Sequence, residues 1–176
     1  MQTISVRRLT PSAFSPFGEV LFFDPAHSKL VNDGRALRSD TRARFDTASD
    51  NGAPVLAVYR ARGESLPLHL RTFERLPLSS QAFMALSAEL FLVVVAPQDA
   101  SSLPDLSRAE AFVGHRGEGV NYARNLWHAP ITAIDADGDF LMFMWESGRA
   151  EDCIFHHPSE PLLIRGLDTF ASQVCR

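Results

Sequence analysis

Between Gly117 and Pro130 the chain reads Gly-Glu-Gly-Val-Asn-Tyr-Ala-Arg-Asn-Leu-Trp-His-Ala-Pro, so glycines, an amide, a guanidinium and an imidazole share fourteen residues. A buried strand has no use for so many hydrogen-bonding groups unless they converge on something polar. Each one left unpaired away from water costs about 1–3 kcal/mol. The types present can do specific chemistry. His128 can take or give a proton near neutral pH, and the planar fork of Arg124 fits a carboxylate bidentately. Asn121 and Tyr122 can hydrogen-bond carbonyl and amide groups, and Trp127 can wall a cavity. A second block, Phe73 to Phe83, adds Glu74, Arg75 and Gln81, and Arg60 ends an apolar segment ahead of it.

Short strands must position these groups. Pro11 to Phe14 reads as a helical turn leading into a strand from Phe17 to Phe23, and Asn32-Asp33-Gly34 is a strong turn signal within a charged, irregular stretch from Pro25 to Gly52. Pro54 to Arg60 is β-branched and apolar, and Leu66 to Phe73 alternates well enough for a strand ending at Glu74-Arg75. Leu90 to Ala96 is a continuous apolar strand stopped by Pro97. Ala109 to Val113 is a short strand, Gly114 to Gly119 a turn and Leu126 to Ile134 a strand. Asp137-Gly138 then turns the chain into Phe140–Trp145, and Pro158 to Ala171 leaves room for a little more strand or helix. No sustained 3.6-residue apolar stripe occurs anywhere, so the fold is expected to be mostly β, a jelly-roll or closed antiparallel barrel that hides its strand edges, with a few short helices.

The composition bounds the partners. A chain of 176 residues with 45% hydrophobic and 22% charged residues fits one domain, 1–176, and its 13 Phe supply core volume. A formal net charge of −4 gives no footprint for nucleic acid or an anionic membrane. The longest apolar run is far short of the roughly 20 residues a membrane helix requires. The N-terminal stretch lacks the apolar core of a secretion signal, and Cys153 and Cys175 are too few for a disulfide framework, which points to the cytoplasm. Small molecules and a second copy of the chain are the expected partners.

Three blocks, Phe14-Ser-Pro-Phe-Gly-Glu-Val20, Phe73-Glu-Arg-Leu-Pro-Leu-Ser-Ser-Gln-Ala-Phe83 and Gly119-Val-Asn-Tyr122 with Trp127-His128, occur in an order that resembles the ureidoglycolate lyase family. The Asn32-Asp33-Gly34 turn and Arg60 are similar to family features, and the resemblance runs from about Leu9 to Cys153. It implies a cupin-like double-stranded β-helix, a homodimer, and the splitting of ureidoglycolate into glyoxylate and urea in allantoin breakdown. The family was formerly classed as a hydrolase. On that reading the substrate is a small ureido carboxylate. His128 and Glu74 form the acid/base pair, Arg124 binds the carboxylate with Arg75 or Arg60 as the next choices, and Asn121, Tyr122, Gln81 and Trp127 complete the site.

The resemblance also implies a divalent metal, nickel by family association. Mapped by spacing, its ligands are at best Glu74, Gln81 and His128, because Leu76 stands where the family carries histidine and cannot ligate. The late strand reads Met144-Trp145-Glu146 where relatives show Asp-Arg, and Arg71 likewise replaces a histidine. These departures leave two rivals: a cupin that binds a small carboxylate such as glyoxylate without turnover, and an enzyme acting on another small hydroxy acid. Plainer readings stand beside each residue. Glu74-Arg75 reads equally as a surface ion pair, Asn121 as a turn cap, Tyr122 and Trp127 as core, and Cys153 as a buried thiol. His156-His157 is assigned no role, since neighbours on a strand face opposite ways.

Overall fold

The computed structural model describes residues 2–166. Cys175 and the part of the Pro158–Ala171 expectation beyond Gly166 lie outside them. The described strands are β1 (Thr3–Arg8), β2 (Gly18–Leu21), β3 (Ser28–Val31), β4 (Ala36–Ser39), β5 (Ala53–Ala61), β6 (Gly63–Glu64), β7 (Leu68–Leu70), β8 (Phe73–Arg75) and β9 (Gln81–Ala85). They continue with β10 (Leu90–Ala96), β11 (Glu110–His115), β12 (Gly119–Tyr122), β13 (Trp127–His128), β14 (Thr132–Ile134), β15 (Gly138–Glu146), β16 (Ile154–His156) and β17 (Leu162–Arg165). One α-helical turn, α1 (Pro11–Phe14), is capped by the Thr10 side chain, which accepts from the Ala13 amide.

Fifteen of these strands form two curled sheets in a cupin-like jelly roll, and β3 and β4 pair with each other as a separate antiparallel ribbon. One sheet follows the order β16-β8-β13-β10-β11-β1-β17-β7, with β14 and β6 continuing alongside β10, and the other runs β2-β12-β9-β15-β5. Most pairs are antiparallel, as the short strands and tight turns predict. The exceptions are β1, which lies parallel to both β11 and β17, and the short β6, which lies parallel to β14. Among the described residues no helix is long and apolar enough to cross a membrane.

Strand alternation divides the interior. On β10, Phe91, Val93 and Val95 enter a core between the two sheets, where Phe83, Phe112, Tyr122, Phe140, Met142 and Met144 meet them. Leu92, Val94 and Ala96 enter a second core on the other face, with Trp127, Phe73, Val113 and Ile164. The unbroken apolar run Leu90–Ala96 is thus a strand buried on both faces.

Three expected boundaries move. Leu126–Ile134 is two strands, because Pro130 has no amide to give the ladder and the chain breaks there before rejoining β10. Leu66–Phe73 breaks at Arg71-Thr72, so Glu74 and Arg75 lie inside β8 and not beyond a strand end. Gln81–Ala85 and Gly119–Tyr122 are central strands of the second sheet that turn residues did not mark out. Gly117 ahead of β12 and Gly119 at its first position serve backbone geometry. Gly117 adopts φ +82°, and a Cβ on Gly119 would sit 2.1 Å from the Phe83 carbonyl oxygen.

Candidate functional site

Glu74 of β8 and His128 of β13 are directly opposite partners in an antiparallel pair, which puts both side chains on the same face, toward the space between the sheets. The imidazole is buried, and its Nε2 lies 3.5 Å from Glu74 Oε1. Its Nδ1 faces the Leu126 carbonyl at 3.0 Å; a carbonyl only accepts, so this nitrogen carries a proton and directs Nε2 inward. From the opposite sheet, Gln81 of β9 brings its amide oxygen to 3.0 Å from Nε2. An amide can present either end after a half turn, so Gln81 can meet Nε2 as acceptor or as donor. The Tyr122 ring stacks on the imidazole with centroids 4.0 Å apart and planes 13° from parallel.

A cavity of about 390 Å³ opens in front of this group, of a size suited to a small molecule. Glu74, Gln81, Leu76, Tyr59, Cys153 and Glu146 line it together with Asp152, Met144 and Ile131. His128 and Tyr122 do not reach its wall; they stand behind Glu74 and Gln81. The Cys153 thiol lies 3.7 Å from Glu74 Oε2 and donates to it. Burial and then the neighbouring Glu74 carboxylate push that thiol up to about 12, so it stays protonated. Burial, followed by Glu74, likewise raises the Tyr122 phenol, whose hydroxyl has no hydrogen-bond partner among the described residues. In another hollow, of about 310 Å³ and bounded by Pro11, Val20, Phe22 and Arg42, His27 Nδ1 meets Asp24 Oδ2 at 2.7 Å, but that imidazole is exposed and the pair is local, three residues apart in one turn.

The structure therefore brings together Glu74, His128, Gln81 and Tyr122 from the expected set, with Arg60 at the cavity border. It does not bring in Arg124, Asn121, Arg75 or Trp127, and alternation is the reason for three of them. Arg75 and Trp127 neighbour Glu74 and His128 in sequence and so face the other way, with the guanidinium carbon 4.9 Å from the indole centroid. Arg75 donates to Asn125 Oδ1 and Trp127 Nε1 to the Ser102 carbonyl. Asn121 points outward where Tyr122 points inward, and its amide donates to Glu19 Oε2 at 2.8 Å and to the Arg44 carbonyl at 2.9 Å. Arg124, in the loop after β12, donates from Nε to Asp46 Oδ2 at 3.1 Å. Arg124 and Asn121 border a separate hollow of about 570 Å³ with Glu19, Arg44 and Asp46. Arg60 is exposed and is held by Asp139 through Nε and Nη2, at 2.7 and 2.9 Å.

Tyr59 and Asp152 line the cavity without having been singled out in the sequence, beside Glu146 of the late strand and Cys153. Tyr59 had a legible signal, since it shares strand parity with Val55 and Ala57, which pack on the inter-sheet core. The donor set does not fit a transition metal. It offers one imidazole nitrogen already met by Gln81, one carboxylate and a neutral amide, while Leu76, 3% exposed, lines the cavity where a histidine would be needed. Among the described residues no three His, Cys, Asp or Glu side chains are grouped to hold a metal ion.

A family model described as ureidoglycolate lyase matches residues 1–165. The ureidoglycolate lyase of Chelativorans sp. (strain BNC1) is 38% identical over 162 residues, covering 91% of this chain and 96% of that protein. The ureidoglycolate lyase of Pseudomonas entomophila (strain L48) is 37% identical over 165 residues, covering 93% and 97% respectively. That of Pseudomonas syringae pv. tomato is 36% identical over 160 residues, covering 91% and 92%. With the order of its sequence blocks, its two curled sheets and a match across nearly its whole length, the chain belongs to the ureidoglycolate lyase family.

Proposed function

We propose that the protein is a ureidoglycolate lyase, releasing glyoxylate and urea in the cytoplasm during allantoin breakdown. One observation carries the reading: the register of β8 against β13 sets a buried imidazole behind the carboxylate that faces the cavity. The reaction needs a base for the substrate hydroxyl and an acid for the departing nitrogen. Glu74 can serve both, taking the hydroxyl proton as the carbonyl forms and returning it to nitrogen as the C–N bond breaks with its electron pair. His128 acts through Glu74 as a positioning residue. Its fixed Nδ1–H holds the ring, and Gln81 adapts to either state of Nε2. Arg60 is the guanidinium at the cavity border; Asp139 occupies Nε and Nη2 and leaves Nη1 for the substrate carboxylate.

The test is release of glyoxylate and urea from racemic ureidoglycolate above its spontaneous decay, with and without chelator. Equimolar products, unchanged by chelator, are expected. A rate no greater than the spontaneous one, with glyoxylate still bound, would replace the lyase by a carboxylate-binding cupin.

We infer further that the protein is a homodimer joined through the outer face of the β5-bearing sheet. Leu56 and Val58 on that face are 67% and 65% exposed, and they lie opposite Phe143 and Leu141. Apolar side chains thus occupy both faces of β15. The patch has no unpaired charge between Pro54 and the Arg60–Asp139 pair, so it can meet its own copy about a two-fold axis without repulsion. Sedimentation at micromolar concentration should give a dimer, and Leu56→Asp a monomer; a monomeric wild type would overturn this.

A further inference from the structure

We propose that Tyr59 is a further catalytic residue, its phenol donating a hydrogen bond to the ureido oxygen of the substrate. The inference rests on the lyase reading and deepens it. Tyr59 is on β5, whose inward-facing residues Val55, Ala57 and Ala61 pack against the inter-sheet core, and its ring meets Phe83 edge-on with centroids 5.5 Å apart. That contact orients the half-exposed ring at the wall of the cavity that Glu74, Cys153 and Glu146 also line.

The side-chain donors of the cavity leave it as the free one. Cys153 gives its S–H to Glu74, the Gln81 amide nitrogen is 3.7 Å from the Met144 sulfur, and Arg60, held by Asp139 through Nε and Nη2, keeps Nη1 for the substrate carboxylate and not for the ureido oxygen. Glu74, Glu146 and the Asp152 carboxylate only accept, and Asp152 is already used by Ser147 and Arg149. The Tyr59 hydroxyl has no hydrogen-bond partner among the described residues. Burial, then Glu74, Glu146 and Cys153, raises its pKa, so near neutral pH it is a hydroxyl that donates and does not ionise.

The chemistry needs such a donor. As the C–N bond of the substrate breaks, its electron pair moves onto the urea fragment and the ureido oxygen gains negative charge. A donor aimed at that oxygen strengthens in the transition state. The proton inventory is complete without ionising the phenol: the hydroxyl proton goes to Glu74 and then to the departing nitrogen, while Tyr59 keeps its own.

Tyr59→Phe keeps the ring on Phe83 and removes one oxygen. Turnover of ureidoglycolate and the affinity for hydantoate, which retains the ureido and carboxylate groups but has no hydroxyl to lose, are measured for wild type and variant. The thermal midpoint is followed in parallel. The expected result is a fall in kcat of about 10²-fold, with KM within about threefold and the midpoint unchanged. A wild type that turns over and a variant that retains more than a tenth of its kcat overturn the role of Tyr59 and leave the lyase standing. If neither turns over, the lyase reading fails, and hydantoate decides: weaker binding by the variant upholds Tyr59 as the ligand's donor, whereas equal binding or none overturns it.

Discussion

Two hollows of this molecule flank one strand, β12, and differ in how their polar groups are used. β12 sends Tyr122 inward to stack on His128 and Asn121 outward to bind Glu19 and the Arg44 carbonyl. In the outer hollow Arg124 is occupied by Asp46, so the polar groups fasten the Arg44–Asp46 segment to the sheet. In the inner cavity Glu74 faces open space with only a thiol and an imidazole for company, and Tyr59 has an uncommitted hydroxyl. A dense run of polar residues therefore marks two jobs. The face that leaves a carboxylate and a phenol available is the one suited to chemistry; the outer face leaves the neutral Asn121 Oδ1 without a partner among the described residues.

The largest expected effect separates these hollows by turnover. Glu74→Gln keeps shape and hydrogen-bonding capacity but cannot carry the proton, so kcat should fall by about 10³-fold, within the range of general acid–base catalysis. Arg124→Ala should leave kcat within about threefold, because its guanidinium is on the other side of the sheet. The reverse ranking would move the reaction to the outer hollow and overturn the assignment.

A second contrast concerns Cys153. With its thiol raised from 9.0 to about 12, the thiolate fraction at pH 8 is about a thousandfold below that of an unperturbed cysteine. In a Cys175→Ser background, alkylation by iodoacetamide at pH 8 should be slowed accordingly. Glu74→Gln should speed it by removing the neighbouring charge. The same shift has a stability consequence of definite sign. The unfolded thiol ionises near pH 9 while the folded one stays protonated, so stability is full below pH 9 and is lost as pH rises toward 12. A Cys153 that reacts as fast as a free thiol would show that Glu74 and burial do not govern this part of the cavity.

The architecture was legible because it rests on patterns of a few residues. Pro97 ends β10, Pro11 and Thr10 start the helical turn, and Asn32 and Asp33 adopt the left-handed φ of 54° that their side chains tolerate. Glu74, His128 and Gln81 were legible as a set through their blocks. Which neighbours accompany them was not, because Arg75, Trp127 and Asn121 are excluded by strand parity, and parity depends on where a strand begins. Reading Glu74-Arg75 as the end of a strand hid that their side chains point apart. Tyr59 and Cys153 reach the cavity from β5 and from just before β16, far from the blocks in sequence, and only the closing of the two sheets makes them neighbours.

The smallest effect tests whether the outer hollow is purely a fastening. Asp46 receives Arg124 through its side chain, while its backbone amide donates to Ser80 Oγ at 2.9 Å and its carbonyl accepts from the Ser80 amide. With the Asn121 amide on the Arg44 carbonyl, the segment is held by four bonds, of which the guanidinium contributes one. The ion pair is solvent-exposed, with 39% and 52% of the two side chains accessible, so its removal should cost no more than about 1 kcal/mol. Arg124→Ala should therefore lower the thermal midpoint by only a few degrees, and added salt should weaken the pair in the wild type and narrow that gap. A loss several times larger would mean that the Arg44–Asp46 segment depends on this pair. The Asn121 and Ser80 bonds would then be too weak to hold it, and the outer hollow would be a keystone of the sheet.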